Sequence, residues 1–108
     1  MTARGLTIAE MRDTWTEAQF QNAVLNVAKA GGWRVYHTHN SMHSAKGFPD
    51  LVLVKDGRLV FAELKSKTGK VTPEQEAWLA ALGDVVPEMV AAHVWRPGDW
   101  DDLEGVLA

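Results

Sequence analysis

The dipeptide Asp56-Gly57 constrains this chain more than any other feature, because it ties two apolar runs, Leu51 to Val54 and Leu59 to Lys65, into one hairpin. A two-residue type I′ turn needs positive φ at both central positions, and Asp-Gly supplies it. Turn geometry then fixes the register of the pair. The turn lies midway between Asp50 and Glu63, so the two acids stand nearly opposite each other. Opposed residues on one face have Cβ atoms about 4.5–5.5 Å apart. Lys65 lies two residues past Glu63, and strand periodicity puts it on the same face. Leu64 and Phe61 are expected to point the other way, into the core. Upstream, Gly47-Phe48-Pro49 turns the chain and delivers Asp50 to the mouth of its strand.

This pattern suits a metal. A hard cation such as Mg²⁺ takes oxygen ligands and keeps several waters. Asp50 and Glu63 offer carboxylates, and the backbone carbonyl of Leu64 lies between two site residues as a further candidate ligand. The metal would lower the pKa of a bound water and polarise a phosphoryl oxygen. The Lys65 ammonium can hold that water or stabilise charge growing on the phosphate. Alone, Asp50 reads as a turn residue after proline, and Glu63-x-Lys65 as a solvated charge pair. Three matched charges amid apolar strands instead point to metal-dependent hydrolysis of a phosphodiester.

The length of 108 residues fits one domain, and 46% hydrophobic residues suffice for one modest core. The absence of cysteine excludes a disulfide framework and a thiolate metal site, and fits a reducing cytoplasm. No apolar run reaches the ~18 residues of a membrane helix, and the first residues lack the apolar stretch of a signal peptide. A net charge of −3 argues at first against nucleic acid. Its distribution argues the other way. From Lys29 to Lys70 there are eight basic residues against three acids, and from Val71 onward eight acids against Arg96 alone. A basic centre can meet phosphates and gain from counterion release; the plainer reading is a solvated face.

Local signals give the element order α-β-β-β-α-β-α. Residues 1–15 read as a loose arm and 16–108 as the domain. Thr16-Glu17-Ala18-Gln19 is a capping box, followed by Phe20, Ala23, Val24 and Val27 at helical spacing and ended by Gly31-Gly32. Trp33 to Thr38 alternates as a strand, and His39 to Phe48 reads as a loop. Thr72-Pro73-Glu74-Gln75 is a second capping box, on a helix whose buried stripe is expected at Ala77, Trp78, Ala81 and Leu82. Met89 to Trp95 reads as a further strand, and Asp99 as the cap of a last short helix.

Gly47-Phe48-Pro49-Asp50 followed by Glu63-Leu64-Lys65 resembles the motif of the PD-(D/E)XK nuclease superfamily, and more closely its VRR-NUC branch, the virus-type replication–repair nuclease domain. The resemblance spans about Thr16 to Leu107. It implies an α/β, restriction-endonuclease-like fold with a mixed central sheet flanked by helices. It implies hydrolysis of DNA phosphodiesters with Mg²⁺ or Mn²⁺. Carried over by position, Asp50 and Glu63 are metal ligands and Lys65 the catalytic lysine. Glu17 matches an acid that often completes the site, and Gln75 a glutamine near the site or the DNA backbone. Both have plainer readings: Glu17 as a partner of the helix dipole, Gln75 as the capping-box member.

Small free-standing members of this family resemble Holliday-junction resolvases and are often found in phage genomes. The resemblance thus implies a homodimer that cuts branched DNA in the cytoplasm of a bacterial host. A nicking, restriction-like or flap nuclease is the alternative enzyme. A catalytically silent DNA-binding module is the alternative from another class, and a small interaction domain without nucleic acid a third reading. Lys46 and Ser44 on the loop, His37 beside the motif strand, Lys67, Lys70 and Gln75 are the expected DNA contacts. His37, His39 and His43 hint at zinc, since His-x-His at a strand end is a known ligand spacing, but beyond that pair no third ligand has a compelling position. No small-molecule cofactor and no membrane are expected.

Overall fold

The computed structural model describes residues 5–38, 45–85 and 88–108. Its centre is a four-stranded sheet in the order β1 (Arg34–His37), β2 (Leu51–Lys55), β3 (Arg58–Leu64), β4 (Val90–Trp95). The first three strands are antiparallel neighbours, and β4 joins β3 in parallel. Asp56 (φ 50°) and Gly57 (φ 76°) take the positive φ values of the expected turn. Leu51 therefore pairs with Ala62, and the next step of the register sets Asp50 opposite Glu63. The sheet is mixed and flanked by helices, as expected.

Helix α2 (Glu17–Ala30) starts at the Thr16 capping box and buries Phe20, Val24 and Ala28. They meet Leu51, Leu53, Val60, Ala62 and Leu64 of the sheet, and Trp33, Trp95 and Leu103 close the core. Full burial of a side chain such as Phe20 contributes about 1.5–3 kcal/mol. Trp15 packs at the edge of this core, stacked on Phe20 and edge-on to Trp100.

Helix α3 (Pro73–Gly83) connects β3 to β4 and covers the other face of the sheet at those two strands. Its expected stripe is corrected: Ala77 and Ala81 are exposed, Trp78 and Leu82 only half-buried, and no residue of α3 is fully buried. The helix rests on half a sheet face. Trp78 is held by its hydrogen bond to the Lys46 carbonyl and an edge-on contact with Phe48 rather than by a core. Phe61 is corrected too. Alternation places it with Glu63 on the α3 face, where it meets Phe48 edge-on. Leu64 points to the α2 side as expected.

Two short helices complete the chain. Helix α1 (Ile8–Asp13) forms inside the expected loose arm, nucleated by a capping box of Thr7 and Glu10. Helix α4 (Trp100–Val106) follows a 3₁₀ turn at Pro97–Asp99. The Asp99 carboxylate accepts from the Arg96 amide at 2.9 Å and so closes that turn rather than capping α4. Among the described residues, no helix is long and apolar enough to cross a membrane.

The basic centre divides in space. Lys55 and Arg58 sit at the hairpin tip, donate to the carbonyls of Ala108 and Val106, and lie over the Trp33 ring. Lys29 is in the last turn of α2. All three are at the end of the sheet away from Asp50 and Glu63, roughly 15–20 Å along the strands. Charge neighbours along the chain are not neighbours in the fold.

Candidate metal centre

Each residue of Gly47-Phe48-Pro49-Asp50 has a separate structural task. Gly47 has φ +88°, and a Cβ there would lie 2.5–2.7 Å from the backbone of Glu74 and Gln75. Only glycine lets this loop lie against the first turn of α3. Phe48 fills the space between Phe61 and Trp78. The Trp78 Nε1 donates to the Lys46 carbonyl at 3.1 Å and ties α3 to the loop. Pro49 is fully buried. Its carbonyl accepts from the Thr38 hydroxyl. Asp50 is thereby fixed at the strand mouth.

Asp50 Oδ2 accepts the Leu64 amide at 2.9 Å. In an extended strand a residue's N–H and C=O lie on one edge, so the Leu64 carbonyl shares the edge that faces Asp50. Glu63 is 2% exposed, deep for a carboxylate. Its Oε1 accepts from Gln75 Nε2 at 3.1 Å and lies 3.8 Å from Lys65 Nζ. Its Oε2 is buried with no hydrogen-bond partner. Lys65 is itself buried, and its amide donates to the Trp95 carbonyl at 3.0 Å, extending the β3–β4 pairing.

Glu17, in the first turn of α2, brings a third carboxylate. One oxygen each of Glu17, Asp50 and Glu63 lie within 4.8 Å of one another. Burial, the facing Asp50 carboxylate and then Glu17 push the Glu63 carboxyl from 4.5 up to about 8, against the opposing pull of Lys65. Three clustered acids, one with an orphaned buried oxygen, match the donor set of a hard divalent cation.

Gln75 serves the cap and the site together. Its Oε1 accepts from the Thr72 amide at 2.9 Å, while its Nε2 reaches Glu63. One side chain makes both contacts.

The other expected residues are less convergent. His37 is half-buried on β1, opposite Leu51, and so on the α2 side of the sheet rather than the face of Glu63. Lys46 is exposed on the loop. Lys67 is exposed and 3.6 Å from Asp13. Lys70 lines an open depression with Lys67, Gly69 and Arg96. Ser44, Ser41, His39 and His43 lie outside the described residues. No histidine belongs to the ligand cluster found among the described residues.

Arg96 is a residue that sequence reasoning misses. Its Nη1 donates to the carbonyls of Ser66 (2.8 Å), Gly69 (2.7 Å) and, at longer range, Lys67 (3.4 Å). It pins the turn that follows Lys65 to the end of β4. A lone arginine among eight acids after Val71 is the one sequence signal that marks it.

A solved structure described as "VRR_NUC domain protein" superposes with a TM-score of 0.63 at 21% identity, covering 86% of this chain and 85% of that one. At that identity the likeness concerns the fold. No curated protein matches the chain. The family model for the VRR-NUC domain matches residues 5–95, most of the chain, and this protein belongs to the VRR-NUC domain family, a family of nuclease-type domains.

Proposed function

We propose that this protein is an Mg²⁺- or Mn²⁺-dependent endodeoxyribonuclease. The observation that carries the proposal is the cluster of Glu17, Asp50 and Glu63 carboxylates within 4.8 Å, with Lys65 at 3.8 Å from Glu63. The orphaned Glu63 Oε2 is the test of fit, since a cation would supply its missing partner. Asp50 and Glu63 would hold the ion, with the Leu64 carbonyl and Glu17 as further ligands. When bound, such an ion supplies an activated water and a Lewis acid for the phosphoryl oxygen.

The chain's own residues do the rest. The Leu64 amide orients Asp50, and the Gln75 amide orients Glu63. Outer contacts of this kind fix ligand geometry. Lys65, buried beside Glu63, places a positive charge where the phosphate would gain negative charge. Lys46, Lys67 and Lys70 would contact DNA phosphates around the site, with Gln75 at its margin.

Branched DNA is the proposed substrate, cut as a Holliday-junction resolvase cuts it. Two symmetric incisions need two active sites related by a two-fold axis, which a homodimer supplies. The test is cleavage of a labelled four-way junction beside matched duplex, flap and single strands, with Mg²⁺, Mn²⁺ or EDTA. Paired symmetric cuts on the junction, lost in EDTA, are the expected result. Cutting of duplex or flap alone would discard the resolvase and keep the nuclease. Tight binding without cutting in any metal would leave a DNA-binding module.

A further inference from the structure

Among the described residues, the sheet face that carries Glu63 is only half covered. Along it run three cross-strand rows. The first continues from Thr38 through Asp50 and Glu63 to Val94, the second is Tyr36, Val52, Phe61 and Ala92, and the third is Arg34, Val54, Leu59 and Val90. Helix α3 and Phe48 cover the β3–β4 half, against Phe61. Over β1 and β2 no described residue covers the face, and Tyr36 is 63% exposed and Val54 43%. Arg34 is exposed beside them. On the opposite face the same two strands are sealed by α2, with Leu51 and Leu53 fully buried and Val35 packed against them. Tyr36 is thus held by a strand whose back is fixed, with its side chain turned to solvent.

We infer that this open half-face is a platform for a nucleotide of the substrate strand that unpairs at the branch point, with Tyr36 stacking on its nucleobase and Arg34 meeting a phosphate; the inference rests on the proposed nuclease reading. A single exposed tyrosine is ordinary on a protein surface. Its position here is not arbitrary. Its row is the one next to the acid row, on the same face. Strand rise and strand spacing put the Tyr36 backbone roughly 8 Å from that of Asp50 and roughly 12 Å from that of Glu63. At about 3.4 Å per stacked nucleotide, a base on Tyr36 lies two or three nucleotides from a phosphate at the acids. Val52 and Val54 beside Tyr36 are short, so among the described residues nothing on this face stands in the way of a flat base. Arg34, two residues along the same strand and face, supplies the positive charge that a strand needs as it leaves the acidic centre. Aromatic rings flanked by cations on an open sheet face are the usual means of holding single strands without sequence readout.

The experiment measures binding of a labelled single-stranded oligonucleotide and of the same sequence as a blunt duplex, in EDTA, over a salt series. It compares the wild-type protein with Tyr36→Ala, Tyr36→Phe and Arg34→Ala, and records cleavage with Mg²⁺ and Mn²⁺ in parallel. Tyr36→Ala is expected to weaken single-strand binding at least about fivefold, Tyr36→Phe to keep it, and duplex binding to change little. Arg34→Ala is expected to lower the salt slope by about 0.7, one phosphate contact on a single strand. Both side chains are exposed, so unchanged thermal unfolding should accompany these effects. Absence of single-strand binding by the wild type, unchanged binding by Tyr36→Ala, or equal loss on duplex would each overturn the platform. Loss of binding in Tyr36→Ala by a protein that cleaves nothing would keep the platform and remove the nuclease reading.

Discussion

Gln75 donates its side-chain amide to Glu63 at 3.1 Å while its carbonyl oxygen caps the amide of Thr72 at 2.9 Å. One residue thus fixes the start of α3 and the orientation of the most buried carboxylate. Gln75→Glu separates the two roles, because glutamate also serves at the third position of a capping box. The variant should keep the fold and the helix start. It should lose the donor to Glu63 and add a fourth acid to the cluster. Loss of an orienting contact of this kind costs about 10–100-fold in activity or metal affinity. Thermal unfolding and metal titration of the two proteins check this; equal metal affinity would assign Gln75 to the cap alone.

Glu63 gives the metal-free protein a particular pH dependence. Its carboxyl is raised from 4.5 to about 8. Between these values the unfolded chain has released the proton and the folded chain retains it. Stability therefore falls as pH rises from about 4.5 to about 8, and the loss is complete above 8. Below 4.5 both states hold the proton and the group contributes nothing to the slope. Urea unfolding in EDTA at pH 5, 6.5 and 8 should show the decline, and Glu63→Gln should flatten it. Because a metal ligand must be deprotonated, Mg²⁺ or Mn²⁺ bound below pH 8 should displace a proton from this site. Calorimetry in buffers of different ionisation heat reads that release directly.

Gly47 is irreplaceable on two counts, its φ of +88° and the backbone of Glu74 and Gln75 at 2.5–2.7 Å from any Cβ. Strain at such a position costs about 1–3 kcal/mol before the clash is added. Gly47→Ala should therefore destabilise the protein by at least about 2 kcal/mol and move the loop off α3, taking Asp50 with it. Chemical denaturation of the variant measures the cost, and a loss within about 0.5 kcal/mol, the range of ordinary surface changes, would show that the loop tolerates a side chain.

The parts of this protein that were legible in its sequence are those set by local rules. Asp56-Gly57 fixes the hairpin, and with it the opposition of Asp50 and Glu63. Of the helical spacing Phe20, Ala23, Val24 and Val27, Phe20 and Val24 are buried, Ala23 and Val27 lie at the edge of the core, and Ala28 completes the buried face of α2. The face of Phe61 follows from the two-residue alternation that also sets Lys65 with Glu63; assigning it to the core with Leu64 set that spacing aside, because β3 is apolar on both faces. Helix α1 is announced only by Thr7 and Glu10, without any buried residue to support the signal. Arg96 reaches carbonyls 27–30 residues away, and only the parallel docking of β4 beside β3 brings them together. The basic centre misleads for the same reason: sequence proximity placed Lys55 and Arg58 with Lys65, and the hairpin sends them to the opposite end.

The most direct measurement compares DNA cleavage by the wild-type protein and by Asp50→Ala, with Mg²⁺, Mn²⁺ and EDTA, at matched folded concentration. Asp50 makes its described contact with the Leu64 amide at the rim of the site, so its removal should leave the core intact. Metal-dependent cutting by the wild type, abolished in EDTA and reduced to background in Asp50→Ala, is the expected result. Cleavage at an undiminished rate by a folded Asp50→Ala protein would contradict the assignment of this carboxylate cluster as the metal centre.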